Sequence, residues 1–121
     1  MHTGSRRILV VEDNPDCRNS LRVMLEIWGY QVQEAATGPQ GVQKALDWKP
    51  QAGVVDIGLP GFDGYEVARR VKQVLGDQLL LIALTAYGGP EDRQQAFQAG
   101  FSYHLTKPAD PQELHRLLED A

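Results

Sequence analysis

The stretch Val54-Val55-Asp56-Ile57-Gly58-Leu59-Pro60-Gly61-Phe62-Asp63-Gly64 constrains this chain more than any other. An apolar run ends on an acid and passes at once into a loop of glycine and proline. Short apolar runs bounded in this way read as buried strands, and the Gly and Pro mark where the strand stops. Asp56 therefore stands at the mouth of a strand, reachable from outside and rigidly supported from behind.

The same pattern recurs along the chain. Ile8-Leu9-Val10-Val11 reads as a first buried strand ending in the acid pair Glu12-Asp13. Asn14 offers an N-cap and Pro15 a first helical position. Cys17, Leu21, Met24, Leu25 and Trp28 follow at helical spacing, with Cys17 expected in the core, and Gly29 closes the helix. Tyr30 to Glu34 alternates like a strand, and Thr37 caps a second helix that stops before Pro50. Ala52 to Asp56 is the third strand, weakened at Gly53. Asp63 reads as an N-cap before a third helix from about Gly64 to Leu75. Leu79 to Leu84 is a fourth strand ending in Thr85. Pro90 opens a mostly polar fourth helix whose apolar contributions are Ala96 and Phe97. Ser102 to Leu105 is a fifth strand leading into Thr106-Lys107-Pro108, and Asp110 caps a last helix presenting Leu114, Leu117 and Leu118. Five strands alternating with five helices predict a doubly wound parallel sheet covered on both faces.

Composition supports one ordinary globular domain. The chain has 121 residues, 42% of them hydrophobic and 23% charged. The net charge of −4 disfavours non-specific attachment to nucleic acid or to an anionic membrane. No apolar run approaches membrane-spanning length, and a single cysteine forms no internal disulfide, so a cytoplasmic setting is expected. Met1 to Ser5 is polar and featureless and reads as a disordered or appended N-terminus, leaving 6–121 as the domain.

Glu12-Asp13, Asp56, Thr85 and Lys107 all fall at carboxyl ends of predicted strands. In open α/β sheets that edge is where ligands bind. Two carboxylates about 4 Å apart repel by roughly 4 kcal/mol at an effective dielectric near 20. Three converging acids therefore call for a cation, and Mg²⁺ prefers such hard oxygen ligands.

The ordered set V-V-E-D-N, D-I-G-L-P-G-x-D-G, L-T-A and K-P resembles the receiver domain of two-component response regulators over nearly the whole chain. The resemblance implies a flavodoxin-like sheet of order 2-1-3-4-5. It also implies Mg²⁺ held by Asp13, Asp56 and the Gly58 backbone carbonyl, with Glu12 acting through water. Many relatives carry Asp where this chain has Glu12. Asp56 would take a phosphoryl group from a phosphohistidine, with Thr85 and Lys107 contacting that group. Thr85 and Tyr103 would then form a switch altering the surface of the fourth helix, fifth strand and fifth helix. In this family Gly58 and Tyr87 border the path of the water that removes the phosphoryl group, which implies slow self-dephosphorylation here. The Lys107-Pro108 bond is cis in relatives; sequence leaves its isomer open.

The implied partners are a sensor histidine kinase or phosphotransfer protein upstream and a phosphotransfer or effector partner downstream. Such a domain is not a stand-alone enzyme and catalyses only its own phosphorylation and dephosphorylation. A haloacid-dehalogenase-type phosphohydrolase is the rival enzyme class, but it wants a second Asp two residues after Asp56, where Gly58 stands. A receiver-like interaction module that is never phosphorylated is the other rival, and the complete acid, hydroxyl and lysine set opposes it. His104 and His115 lack a phosphodonor context and are expected to be structural or exposed. With no effector expected after Ala121, either a single-domain regulator or a receiver from a longer chain is open, and the A-L-T-A-Y-G and K-P-A-D wording resembles receivers fused to hybrid sensor kinases.

Overall fold

The computed structural model describes residues 6–86 and 88–119. The Met1 to Ser5 segment and Tyr87, both singled out above, lie outside the described residues. Chain order is β1 (Arg7–Val11), α1 (Pro15–Ile27), β2 (Gln31–Ala35), α2 (Gly38–Trp48), β3 (Ala52–Asp56), α3 (Gly64–Leu75), β4 (Leu80–Thr85), α4 (Pro90–Ala99), β5 (Tyr103–Thr106) and α5 (Pro111–Glu119). The strands form one parallel sheet in the order β2-β1-β3-β4-β5. The doubly wound reading and its strand order therefore hold.

Alternation along each strand builds two apolar layers. Ile8 and Val10 of β1, Val54 of β3 and Leu105 of β5 pack with Leu21 and Leu25 of α1 and Leu114, Leu117 and Leu118 of α5. Leu9 and Val11, Val55, Leu81 and Ala83 pack on the other face with Ala45 of α2, Val67 and Val71 of α3, and Ala96 and Ala99 of α4. β3 is buried along its whole length. That burial explains the unbroken apolar run before Asp56, since a central parallel strand has no solvent face.

Helix starts follow local chemistry. The side chains of Asn14, Thr37 and Asp63 accept hydrogen bonds from the backbone N–H of Cys17, Gln40 and Glu66 respectively, and Asp110 accepts from Gln112 N. Each cap fixes the angle at which the chain leaves the carboxyl edge of the sheet. Gly64 matters for another reason: a Cβ there would lie 2.5 Å from the Asp56 carbonyl oxygen and 2.8 Å from Ile57 Cα. Its missing side chain lets α3 begin against the end of β3.

Four details differ from the sequence reading. A short 3-10 turn, Gly76–Gln78, precedes β4, so that strand begins at Leu80 rather than Leu79. β2 and β5 each run one residue later than expected. Phe97 is 57% exposed, leaving the buried positions of α4 to Ala96 and Ala99. Cys17 is half-buried: it packs against the α1 and α5 core layer from its rim, lining a pocket with Lys107, Pro108 and Ala109. No described helix is long and apolar enough to cross a membrane.

Candidate functional site

The carboxyl edge of the sheet gathers the strand-end residues. Glu12 follows β1 directly, and its backbone N–H donates to the Ala35 carbonyl at the end of β2. Its carboxylate is 1% exposed. Lys107 Nζ donates to Glu12 Oε1 at 2.7 Å, and Asn14 N–H donates to Oε2 at 3.1 Å. Asp13, beside it, is exposed. Asp56 closes β3 with 5% exposure. Gly58 N–H donates to its Oδ1 at 2.9 Å, and Lys107 Nζ lies 3.1 Å from its Oδ2.

Lys107 is therefore the hub of the site, an ammonium shared between two buried carboxylates. Its position comes from the strands: β5 pairs with β4, and Lys107 N–H donates to the Thr85 carbonyl at 2.7 Å. The Lys107-Pro108 peptide that follows is cis. Thr85 ends β4 and is 5% exposed.

Electrostatics follow from burial. Desolvation pushes the Asp56 carboxyl above the usual carboxylate range; the Gly58 N–H opposes this, Glu12 adds to it, and Lys107 again opposes it. Burial alone would lower the Lys107 pKa, but the hydrogen bonds and charges of Glu12 and Asp56 outweigh it and hold the ammonium above its ordinary value. The Cys17 thiol is pushed up to about 11 by burial first and then by its hydrogen bond to Glu12.

Glu12, Asp13 and Asp56 each offer a carboxylate oxygen, and these oxygens lie within 4.8 Å of one another. Three carboxylates against one ammonium leave an excess of negative charge in a hard oxygen cluster. The donor chemistry fits a divalent cation of the Mg²⁺ type.

Of the expected site residues, Glu12, Asp13, Asp56 and Lys107 come together, Gly58 joins through its backbone, and Thr85 stands at the neighbouring strand end. Tyr103 does not enter the cluster; it sits half-buried on β5 against the α1 and α5 layer, the opposite face of the sheet from Thr85. The expected pairing of these two side chains as a switch is therefore not formed, and His104 is the β5 residue on the Thr85 face. Sequence reasoning missed Arg18. Its guanidinium donates to the Glu12 carbonyl at 2.9 Å and pairs with Glu34 at 3.5 Å, so it ties down the backbone of the acid pair. An arginine one turn into the helix after two acids was the available signal.

A family model for the response regulator receiver domain matches residues 8–119. The chain belongs to this family. As a receiver domain it is 44% identical over 113 residues to an uncharacterised 14.6 kDa protein of Leptolyngbya boryana, covering 93% of this chain and 86% of that one. It is 34% identical over 112 residues to the transcriptional regulatory protein ResD of Bacillus subtilis, covering 93% of this chain but 46% of that protein. It thus spans about half the length of such regulators. The receiver domain of a sensor histidine kinase from Pseudomonas aeruginosa superposes with a TM-score of 0.87 at 36% identity, covering 97% of each chain. That protein carries a magnesium ion coordinated in its active-site cleft.

Proposed function

We propose that this receiver domain accepts a phosphoryl group from a phosphohistidine onto Asp56 and passes the change to a partner. The observation that carries the reading is the buried Asp56 carboxylate, oriented by Gly58 N–H and Lys107, with Glu12 and Asp13 beside it. A carboxylate oxygen of Asp56 attacks phosphorus; the new P–O bond forms as the P–N bond to the donor imidazole breaks, and the imidazole leaves. Lys107 turns from Asp56 Oδ2 toward the incoming phosphoryl oxygens, staying anchored by Glu12. The Thr85 hydroxyl donates to another phosphoryl oxygen.

Asp13, Asp56 and the Gly58 carbonyl would hold Mg²⁺, with Glu12 behind them through water. When bound, this ion supplies charge neutralisation for the phosphoryl oxygens. Displacement of Thr85 toward the phosphoryl group opens space on the face of the sheet it shares with Ala83 and His104, under α4, and so alters the surface formed by α4, β5 and α5; Tyr103 packs on the opposite face. A sensor histidine kinase or phosphotransfer protein is the donor, and the altered face meets the downstream partner. The likeness to a receiver from a sensor histidine kinase supports a hybrid kinase as the parent chain.

The test is ³¹P NMR with intact mass after incubation with acetyl phosphate and Mg²⁺. The expected outcome is one acyl phosphate per chain, absent in Asp56→Asn. Rapid donor turnover without accumulation favours a hydrolase, and no reaction favours an unphosphorylated interaction module.

A further inference from the structure

His104 lies on β5 between Tyr103 and Leu105, and side chains alternate along a strand. Tyr103 and Leu105 face the α1 and α5 layer, so His104 points to the opposite face, which α4 covers. Both its ring nitrogens are buried, and neither has a hydrogen-bond partner among the described residues. The groups around it do little to welcome a proton. β4, Leu80–Thr85, carries no ionisable side chain and sets Ala83 opposite His104. α4 brings Arg93, which opposes protonation, and Asp92, which favours it. The Tyr65 phenol of α3 stands near that same Asp92. Burial comes first among the causes that hold the imidazole below its ordinary pKa.

The helix above is loosely held. Its buried residues are Ala96 and Ala99, small side chains that bury little apolar area, while Phe97 is 57% exposed. Gly88 and Gly89 precede it, and Gly100 ends it at φ +119°, so backbone freedom exists at both ends.

We propose that His104 is a pH-sensitive latch on α4. The neutral ring lets the helix lie on β5; the protonated ring carries a charge that the closed interface cannot solvate, and the helix lifts from the sheet. The sign follows from linkage. The closed-state pKa is depressed, so closure is fully favoured above the ordinary imidazole value near 6.5. It loses ground about tenfold per pH unit below that value, until the depressed value is reached. The latch needs neither phosphorylation nor metal, and stands or falls apart from the assignment of Asp56.

The test is hydrogen–deuterium exchange of the unphosphorylated chain in EDTA at pH 7.5 and pH 5.5, corrected for intrinsic exchange. Opening of residues 90–99 should rise at the lower pH, by at most about tenfold, with α3 as an unchanged internal reference. His104→Phe, which fills the same space without a titrating group, should abolish the rise; His104→Asn serves if the first variant fails to fold. An equal rise in either variant, an equal rise in α3, or no rise in the parent chain overturns the latch. Should neither variant fold, the contrast between α4 and α3 in the parent chain decides.

Discussion

Lys107 balances two carboxylates from strands far apart in sequence, and its partners set the behaviour of Asp56. Removing the Asp56 charge should be well tolerated. Its pKa is raised in the fold, so the protonated form is the one the fold prefers. Stability is therefore greatest below the unfolded value near 4 and is lost as pH rises through the higher folded value. In EDTA, Asp56→Asn should match the parent at low pH and exceed it at neutral pH, read by chemical denaturation at several pH values. A variant less stable at neutral pH would show that ion pairing with Lys107 outweighs the burial cost. Gly58 offers a second residue-level expectation. A Cβ there meets only Asp56 Oδ1, at 3.6 Å, so a side chain fits, whereas the native glycine has none to orient an attacking water. Gly58→Asn should speed loss of the phosphoryl group, by roughly tenfold if the barrier falls by about 1.4 kcal/mol. The decay rate with Mg²⁺ and no donor is the check, and an unchanged rate overturns it.

At the scale of elements, much was legible because the signals are local. Asn14, Thr37, Asp63 and Asp110 each announce a helix within three residues, and each forms its cap. The run into Asp56 reads as a buried strand because a central parallel strand shows no polar alternation. The misses are non-local. The Glu12–Lys107 contact spans 95 positions, so the residue types were evident while their direct pairing was not. Ala96 and Phe97 stood out as the apolar residues of α4, but the sequence did not show which of them faces the sheet. The fold buries Ala96 and leaves Phe97 exposed, because α4 has too little amphipathic character to mark one side. His104 carried no local signal at all, since only the placement of α4 shuts its ring away. The junction of β3 and α3 supports a prediction of its own. Gly64→Ala puts a methyl against backbone atoms of Asp56 and Ile57 that cannot simply rotate away. It should cost about 1–3 kcal/mol, the usual range for overpacking, and slow phosphorylation by displacing Asp56. Gly58→Ala, with open space, is the matched control. Thermal melts and acetyl phosphate labelling check both, and equal effects would refute the crowding argument.

One edge of the molecule gathers three of its 16 acidic residues. Glu12, Asp13 and Asp56 converge there with a single lysine between them, at the ends of the mainly apolar central strands β1 and β3. A cation that binds this cluster when folded, and finds no such cluster when unfolded, must stabilise the entire fold by mass action. At a free concentration of 100 times its dissociation constant the gain is about 2.7 kcal/mol. For a domain of this size that corresponds to a rise in Tm on the order of 10 °C. Asp13 is the exposed member of the cluster and shares none of the bonds that tie Glu12 and Asp56 to Lys107. Asp13→Ala should therefore leave the metal-free melt nearly unchanged while removing most of the Mg²⁺-dependent rise. Glu12→Gln should behave in the opposite way. Its carboxylate is buried and committed to Lys107 and Asn14, so its loss should lower metal-free stability more than it weakens Mg²⁺ binding. Differential scanning calorimetry over a Mg²⁺ series separates the two effects. Equal Mg²⁺ responses in the two variants would contradict the division of labour between the exposed and the buried acid.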